Sequence, residues 1–153
     1  MSLKEKLVKE LEDKIPSELL RYVPSRYPVI GDAIIVRLHP KLREYGRYIG
    51  DAILSLMRNI RAVWAITSTR RILREPHIIH LAGDKNPIVI HRELRTLFKI
   101  DISRLTFSPG NREERKRLVG LIDDGCVVVD MFACIGNLSL PIATNKNPRL
   151  IYC

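Results

Sequence analysis

Between Gly125 and Leu138 the sequence reads Gly-Cys-Val-Val-Val-Asp-Met-Phe-Ala-Cys-Ile-Gly-Asn-Leu, an apolar run that stops at Asp130 and crosses a short turn containing Gly136. Followed by a helical pattern, such a run reads as a buried parallel strand feeding a cofactor loop. The turn needs small residues, because a ligand must approach backbone amides at a helix N-terminus, where the helix dipole favours electronegative atoms. Gly136 supplies one, whereas Cys134 brings a side chain into the same turn. Taken alone the pattern is shared by many α/β proteins, and a buried strand with an ordinary turn explains it as well.

The elements that must position this loop are legible in outline. Leu3, Leu7, Leu11 and Ile15 at four-residue steps predict an amphipathic helix within residues 2–20, stopped near Pro16. Tyr22 to Pro28 reads as an extended connector, and Val29 to Leu38 as one strand rich in β-branched residues. His39-Pro40 opens a helix whose apolar stripe is Leu42, Tyr45, Ile49, Ala52, Ile53 and Leu56. Ala62–Thr67, His77–Leu81 and Ile88–Glu93 read as strands, so residues 29–95 are expected to form a helix on a small, mainly antiparallel sheet. Leu97–Leu105 is a further extended run, broken by Pro109-Gly110. Asn111 is then placed to cap a helix from Arg112, with glutamates in its first turn. Beyond the glycine turn, Leu138–Ala143 starts a helix and Arg149–Cys153 a second strand. One βαβ unit cannot make a doubly wound sheet, so a continuation of the chain or a second polypeptide is expected to complete it, or self-association to cover it.

Charge points to a partner. The 153 residues carry 26 Lys and Arg against 17 acids, a net +9, and the excess is local. Residues 37–74 hold nine basic side chains against Glu44 and Asp51, whereas the first 36 residues sum to zero. Arg37, Lys41, Arg43, Arg47, Arg70, Arg71 and Arg74 are the candidate polyanion contacts, because neutralising phosphates releases counterions. A solvated basic surface is the plain alternative. No apolar run reaches the length of a spanning helix and the N-terminus lacks a signal-peptide core, so no membrane partner and a cytoplasmic location are expected. Cys126, Cys134 and Cys153 have no metal-ligand spacing and read as buried, reduced thiols. No metal site is expected among the histidines either, since His77 and His80, three apart on a strand, face opposite sides.

Two runs taken together sharpen the reading. Asp130-Met131-Phe132-Ala133-Cys134-Ile135-Gly136-Asn137-Leu138 resembles the Asp-Met-Phe-Ala-Gly-Ile-Gly loop of S-adenosylmethionine-dependent enzymes that modify the guanosine 3′ of the tRNA anticodon. Phe107-Ser108-Pro109-Gly110-Asn111-Arg112-Glu113-Glu114-Arg115 is similar to the run that precedes it there. The guanine-N1-methyltransferase branch usually has Arg-Leu after the proline. The Gly-Asn form seen at Gly110 and Asn111 is typical of the archaeal-type wybutosine-synthesising aminocarboxypropyltransferases.

The resemblance implies an α/β chain in which a small α+β, tRNA-binding domain (residues 1–96) is followed by the first, incomplete part of a class I Rossmann-like S-adenosylmethionine-binding domain (97–153). It implies cofactor contacts from Ser108, Arg115, Asp130, Phe132, Ala133, Cys134, Ile135, Gly136, Asn137 and Leu138, and a catalytic role for Glu114 as proton acceptor. On physical grounds Glu114, in a first helical turn beside arginines, stays ionised and is a weak base; it can instead hold a substrate amine or pair with Arg117 or Lys116. Arg115 can fork a carboxylate such as that of the methionine moiety, or lie at the surface. The implied reaction is displacement at the sulfonium by a guanine-derived base, moving a 3-amino-3-carboxypropyl group or, in the methyltransferase branch, a methyl. A non-catalytic tRNA-binding module is the third reading. Cys134, where the family has glycine, and the missing downstream contacts to the cofactor's ribose and adenine predict that the isolated chain is inactive.

Overall fold

A computed structural model describes residues 1–69 and 76–153. Helix α1 spans Leu3–Leu11 and is started by a capping box: Glu5 N–H donates to Ser2 Oγ at 3.2 Å, and Ser2 N–H to the Glu5 carboxylate at 2.7 Å. Leu7 and Leu11 are fully buried. The helix stops there, short of the expected Pro16, and a separate 3₁₀ segment, Ser17–Tyr22, follows the proline. The connector then runs into β1 (Val29–Ile30) and β2 (Ala33–Arg37). Residues 29–38 are thus two strands, not the single one expected. Gly31, at φ +61°, folds β1 back antiparallel on β2. A Cβ on Gly31 would lie 2.7 Å from the Ile90 carbonyl oxygen, so glycine also permits the close approach of a later strand.

Helix α2 (Gly46–Leu56) begins later than the stripe suggested. Pro40–Leu42 is a 3₁₀ turn in which His39 Nδ1 accepts from Lys41 N–H at 3.3 Å. The helix carries the chain over to β3 (Ala62–Thr69), which lies parallel to β2. β4 (Pro76–Gly83) pairs antiparallel with β3, giving a sheet of order β1-β2-β3-β4. A Cβ on Gly50 would meet the Cβ atoms of Leu81 and Ala82 at 2.8 Å, so α2 sits tightly on β4. One sheet face (Ile34, Val36, Val63, Ala65, Leu81) packs on α1 and α2. The opposite face, through Ala33, Ala62 and Trp64, packs on Val89, Phe98, Ile100 and Phe107.

Val89, Phe98 and Ile100 belong to a hairpin, and Phe107 follows it. β5 (Ile88–Glu93) does not join the first sheet as expected, but pairs antiparallel with β6 (Thr96–Asp101) from Ile88↔Asp101 to Glu93↔Thr96. The hairpin straddles residue 96. After Phe107, a 3₁₀ turn (Pro109–Asn111) leads into α3 (Arg112–Leu121), and Asn111 makes no side-chain cap because that turn already feeds the helix. β7 (Val127–Val129), α4 (Ser139–Asn145) and β8 (Leu150–Tyr152) form a parallel βαβ unit. The strand expected to be buried is open here: Val127 is 43% and Val129 65% exposed.

Candidate functional site

The loop leaving β7 is tied at its root. Asp130 N–H donates to the Tyr152 carbonyl on β8 at 2.8 Å, and Asp130 Oδ1 accepts from Phe132 N–H at 3.2 Å, turning the chain out of the strand. A second turn closes with Gly136 N–H on the Ala133 carbonyl at 2.7 Å, and Leu140 N–H then donates to the Gly136 carbonyl at 3.0 Å ahead of α4. Cys134 and Gly136 both have positive φ, +50° and +78°. A Cβ on Gly136 would lie 2.5 Å from Leu140 Cγ, whereas Cys134 holds its left-handed conformation despite its side chain. The cysteines were expected to be buried, but Cys134 and Cys153 are exposed and Cys126 is only half-buried, because the loop and the β7–β8 pair that carry or flank them are open. Two acceptors in this loop are buried with no partner: Asp130 Oδ2 and Asn137 Oδ1. Phe132 (88%) and Met131 (79%) are exposed; Leu138 lies at the rim, Ala133 is half-buried, and Ile135 packs against the hairpin core.

Arg115 was expected to offer its fork to a ligand or to lie at the surface, and it does neither. It is 2% exposed, with Nε on Glu93 Oε1 at 2.6 Å and Nη2 on Glu93 Oε2 at 3.0 Å. Nη2 also donates to the Ser108 carbonyl at 3.1 Å, and the guanidinium lies over the Phe107 ring at 4.7 Å. Glu93 in turn faces His91 Nε2 at 3.4 Å, and His91 Nδ1 accepts from Gly31 N–H at 3.1 Å. Burial pushes the Glu93 carboxyl up, but hydrogen bonds from Arg115 and His91, together with the Arg115 charge, outweigh it and hold the group below the usual carboxylate range. This chain of contacts ties the Gly31 turn to the Phe107–Ser108 segment, leaving the Ser108 side chain exposed.

Glu114, one residue earlier on α3, points to solvent. Arg117 grips it through Nε and Nη2 at 2.8 and 2.7 Å, and this hydrogen bonding lowers its pKa. Of the basic candidates, Arg37, Lys41, Arg43 and Arg47 are all exposed, and Arg47 is 3.9 Å from Asp51. Arg70, Arg71 and Arg74 lie outside the described residues. Arg61 is committed elsewhere: it binds Asp32 and Asp84, each at 2.8 Å, and the Asn86 carbonyl at 3.1 Å, fixing the link between the first sheet and β5.

With this geometry in place, residues 7–86 match the TYW2 N-terminal domain, and residues 89–153 match the TRM5/TYW2 methyltransferase domain. The chain belongs to the TRM5/TYW2 family. It is 34% identical to the tRNA (guanine(37)-N(1))-methyltransferase Trm5b of Pyrococcus abyssi, over 90% of this chain and 42% of that protein. It is 31% identical to the tRNA(Phe) (4-demethylwyosine(37)-C(7)) aminocarboxypropyltransferase of Pyrococcus horikoshii, over 97% of this chain and 53% of that one. The solved structure of P. horikoshii TYW2 in complex with MeSAdo superposes with a TM-score of 0.76 at 29% identity, covering 98% of this chain and 53% of that structure. The chain spans about half the length of the TRM5/TYW2 relatives it matches.

Sequence reasoning missed Glu93 and His91. Their i, i+2 spacing on a strand places them on one face and was readable. Their partner Arg115, 22 residues from Glu93, came into reach only through the hairpin.

Proposed function

We propose that this chain supplies the RNA-binding unit (residues 1–96) and the first part of the cofactor-binding domain (97–153) of a cytoplasmic tRNA-modifying transferase. The enzyme moves the 3-amino-3-carboxypropyl group of S-adenosylmethionine to a wybutosine precursor at the guanosine 3′ of the anticodon. The observation carrying this reading is the loop between β7 and α4, with its two buried, unpartnered acceptors on Asp130 and Asn137. A cofactor rich in N–H and O–H donors suits them, since buried polar atoms without partners are rare. Bound there, the cofactor supplies a carbon activated by an adjacent sulfonium.

The chain's own residues hold and orient. Asp130 and Asn137 accept hydrogen bonds, while Ala133, Cys134, Ile135 and Gly136 shape the wall and Phe132 and Leu138 border it. Ser108 lies on a turn whose carbonyl Arg115 clamps, so Arg115 acts through position rather than as a fork for the ligand. Glu114, kept ionised by Arg117, accepts a proton only weakly and is better suited to holding a cationic amine. Orientation of the sulfonium substituents toward the base decides which group moves. Gly110 and Asn111 favour the aminocarboxypropyl branch, as does the match of residues 7–86 to the TYW2 N-terminal domain. The 34% identity to Trm5b favours methyl transfer as a second reading.

The test joins this chain to the downstream half of the P. horikoshii relative and supplies tRNA(Phe) carrying the precursor, with cofactor labelled in either the methyl or the carboxypropyl part. Mass spectrometry of the nucleosides is expected to show the carboxypropyl label. A methyl label would move the chain to the other branch. Bound but unmodified tRNA would make it a binding module.

A further inference from the structure

The sheet face opposite α1 and α2 is only half covered. Its N-terminal half, Ala33, Ala62 and Trp64, lies under the β5–β6 hairpin. The other half continues along the same strands through Ile35, Ile66 and Ile78, which are only partly buried, Ile35 and Ile78 touching the edge of the hairpin cluster. These three line a groove of about 750 Å³, to which the connector after Val23 and the segment from Ile102 to Phe107 also contribute. Tyr22 and His39, stacked at 4.1 Å and 16°, line it as well.

The rim has a single sign. Lys4, Arg21, Arg26 and Arg37 line it, and no carboxylate does among the described residues. Exposed Ser25 and Thr106 add hydroxyls that can donate or accept. An apolar lining with a cationic edge asks for a ligand with a flat apolar face and an anionic border. A double helix presents its phosphates outward and keeps its bases stacked away from any such lining. An unpaired strand exposes both, and base faces on apolar or aromatic side chains with phosphates on Arg and Lys are how single strands are held.

We propose that this groove binds unpaired nucleotides of an RNA strand, base inward and phosphate on the Arg26–Arg37 rim. The inference rests on RNA being the partner proposed above, and adds where on the chain the strand lies and that it must be unpaired there. Arg37 then serves this groove, separately from Lys41, Arg43 and Arg47, which do not line it.

The experiment titrates this chain into a short single-stranded RNA with 2-aminopurine at its centre, and into the same strand in a blunt duplex. Binding is expected to be about tenfold tighter for the single strand, with a change in 2-aminopurine emission at saturation. Arg26→Glu, at an exposed connector position, should weaken single-strand binding by about tenfold and leave the thermal melt in place. Lys9→Glu, an equal charge change on α1 away from the groove, should weaken it far less. Ile78→Glu, its fold checked by circular dichroism, should abolish the emission change. Equal affinity for both forms, no emission change and no difference between the Arg26 and Lys9 variants would overturn the groove while leaving RNA binding intact. No binding to either form would overturn the RNA reading itself. Loss of single-strand binding when the downstream half of the P. horikoshii relative is attached would give the groove to that half.

Discussion

Arg115 shows how far a residue's role depends on what is brought to it. In the sequence it is one of four basic side chains in six positions, Arg112 to Arg117. In the fold it is the buried member of a pair with Glu93, their side chains 1% and 5% exposed. Removing one partner leaves the other's charge buried, so Glu93→Gln is expected to lower the free energy of unfolding by about 3–5 kcal/mol. The double change Glu93→Leu with Arg115→Met should recover much of that loss in urea denaturation, because no charge is then stranded. A depressed carboxyl pKa in the fold means that this stabilisation is complete above the unfolded value, near pH 4.3, and is lost as pH falls through the lower folded value. The wild type should therefore lose stability below about pH 4 more steeply than Glu93→Gln does. Parallel pH profiles would refute the assignment. Cys134 is the opposite case, since its departure from the glycine of the loop it resembles was readable beforehand and its φ of +50° supplies the physical reason. Cys134→Gly should stabilise the chain by up to about 1 kcal/mol, measured by thermal melting, as relief of the left-handed strain outweighs glycine's extra entropy cost.

At the scale of elements, α1, α2, β3, β4 and the β7–α4–β8 unit were legible because their signals are local: apolar stripes, β-branched runs and a glycine turn. The β5–β6 hairpin was not. Its two-residue turn, Leu94-Arg95, has positive φ at both positions (46° and 60°), the geometry that Asn-Gly normally marks, and neither residue announces it. Tertiary contacts hold the turn instead. Asn145 Nδ2 on α4 donates to the Leu94 carbonyl at 2.7 Å, and Thr96 Oγ1 donates to Thr144 at 3.2 Å. Arg95→Gly should therefore raise stability by about 0.5–1 kcal/mol, whereas Asn145→Ala should lower it by about 1–2 kcal/mol. A neutral Asn145→Ala in chemical denaturation would show that α4 does not brace the hairpin. The split of residues 29–38 into two strands was equally hidden, because Gly31 is required by the later approach of Ile90 as much as by its own turn.

At the scale of the molecule, Arg37, Lys41, Arg43, Arg47 and Arg58 are the exposed basic side chains among the described residues of the basic stretch 37–74, and exposed apolar side chains gather on the β7–β8 pair, on Val127, Val129, Leu150 and Tyr152. For about four phosphate contacts, affinity for the tRNA partner proposed above should fall by about two orders of magnitude between roughly 50 and 200 mM salt. Charge neutralisation at Arg37, Lys41, Arg43 and Arg47 should flatten that slope, and an unchanged slope would remove these residues from the interface. The open β7–β8 face is expected to drive concentration-dependent association, seen by sedimentation, which attachment of the relative's downstream half should suppress. Cofactor affinity ties these halves together. Calorimetry of S-adenosylmethionine binding to four forms, this chain and its extended version, each with Cys134 or glycine, tests the central claim most directly. Extension with Cys134 kept is predicted to recover far more affinity than the glycine change alone, since space in a turn cannot replace contacts that are not made. Tight binding by the 153 residues alone, or no binding by either extended form, would contradict the assignment of the Asp130–Leu138 loop as a partly built cofactor site.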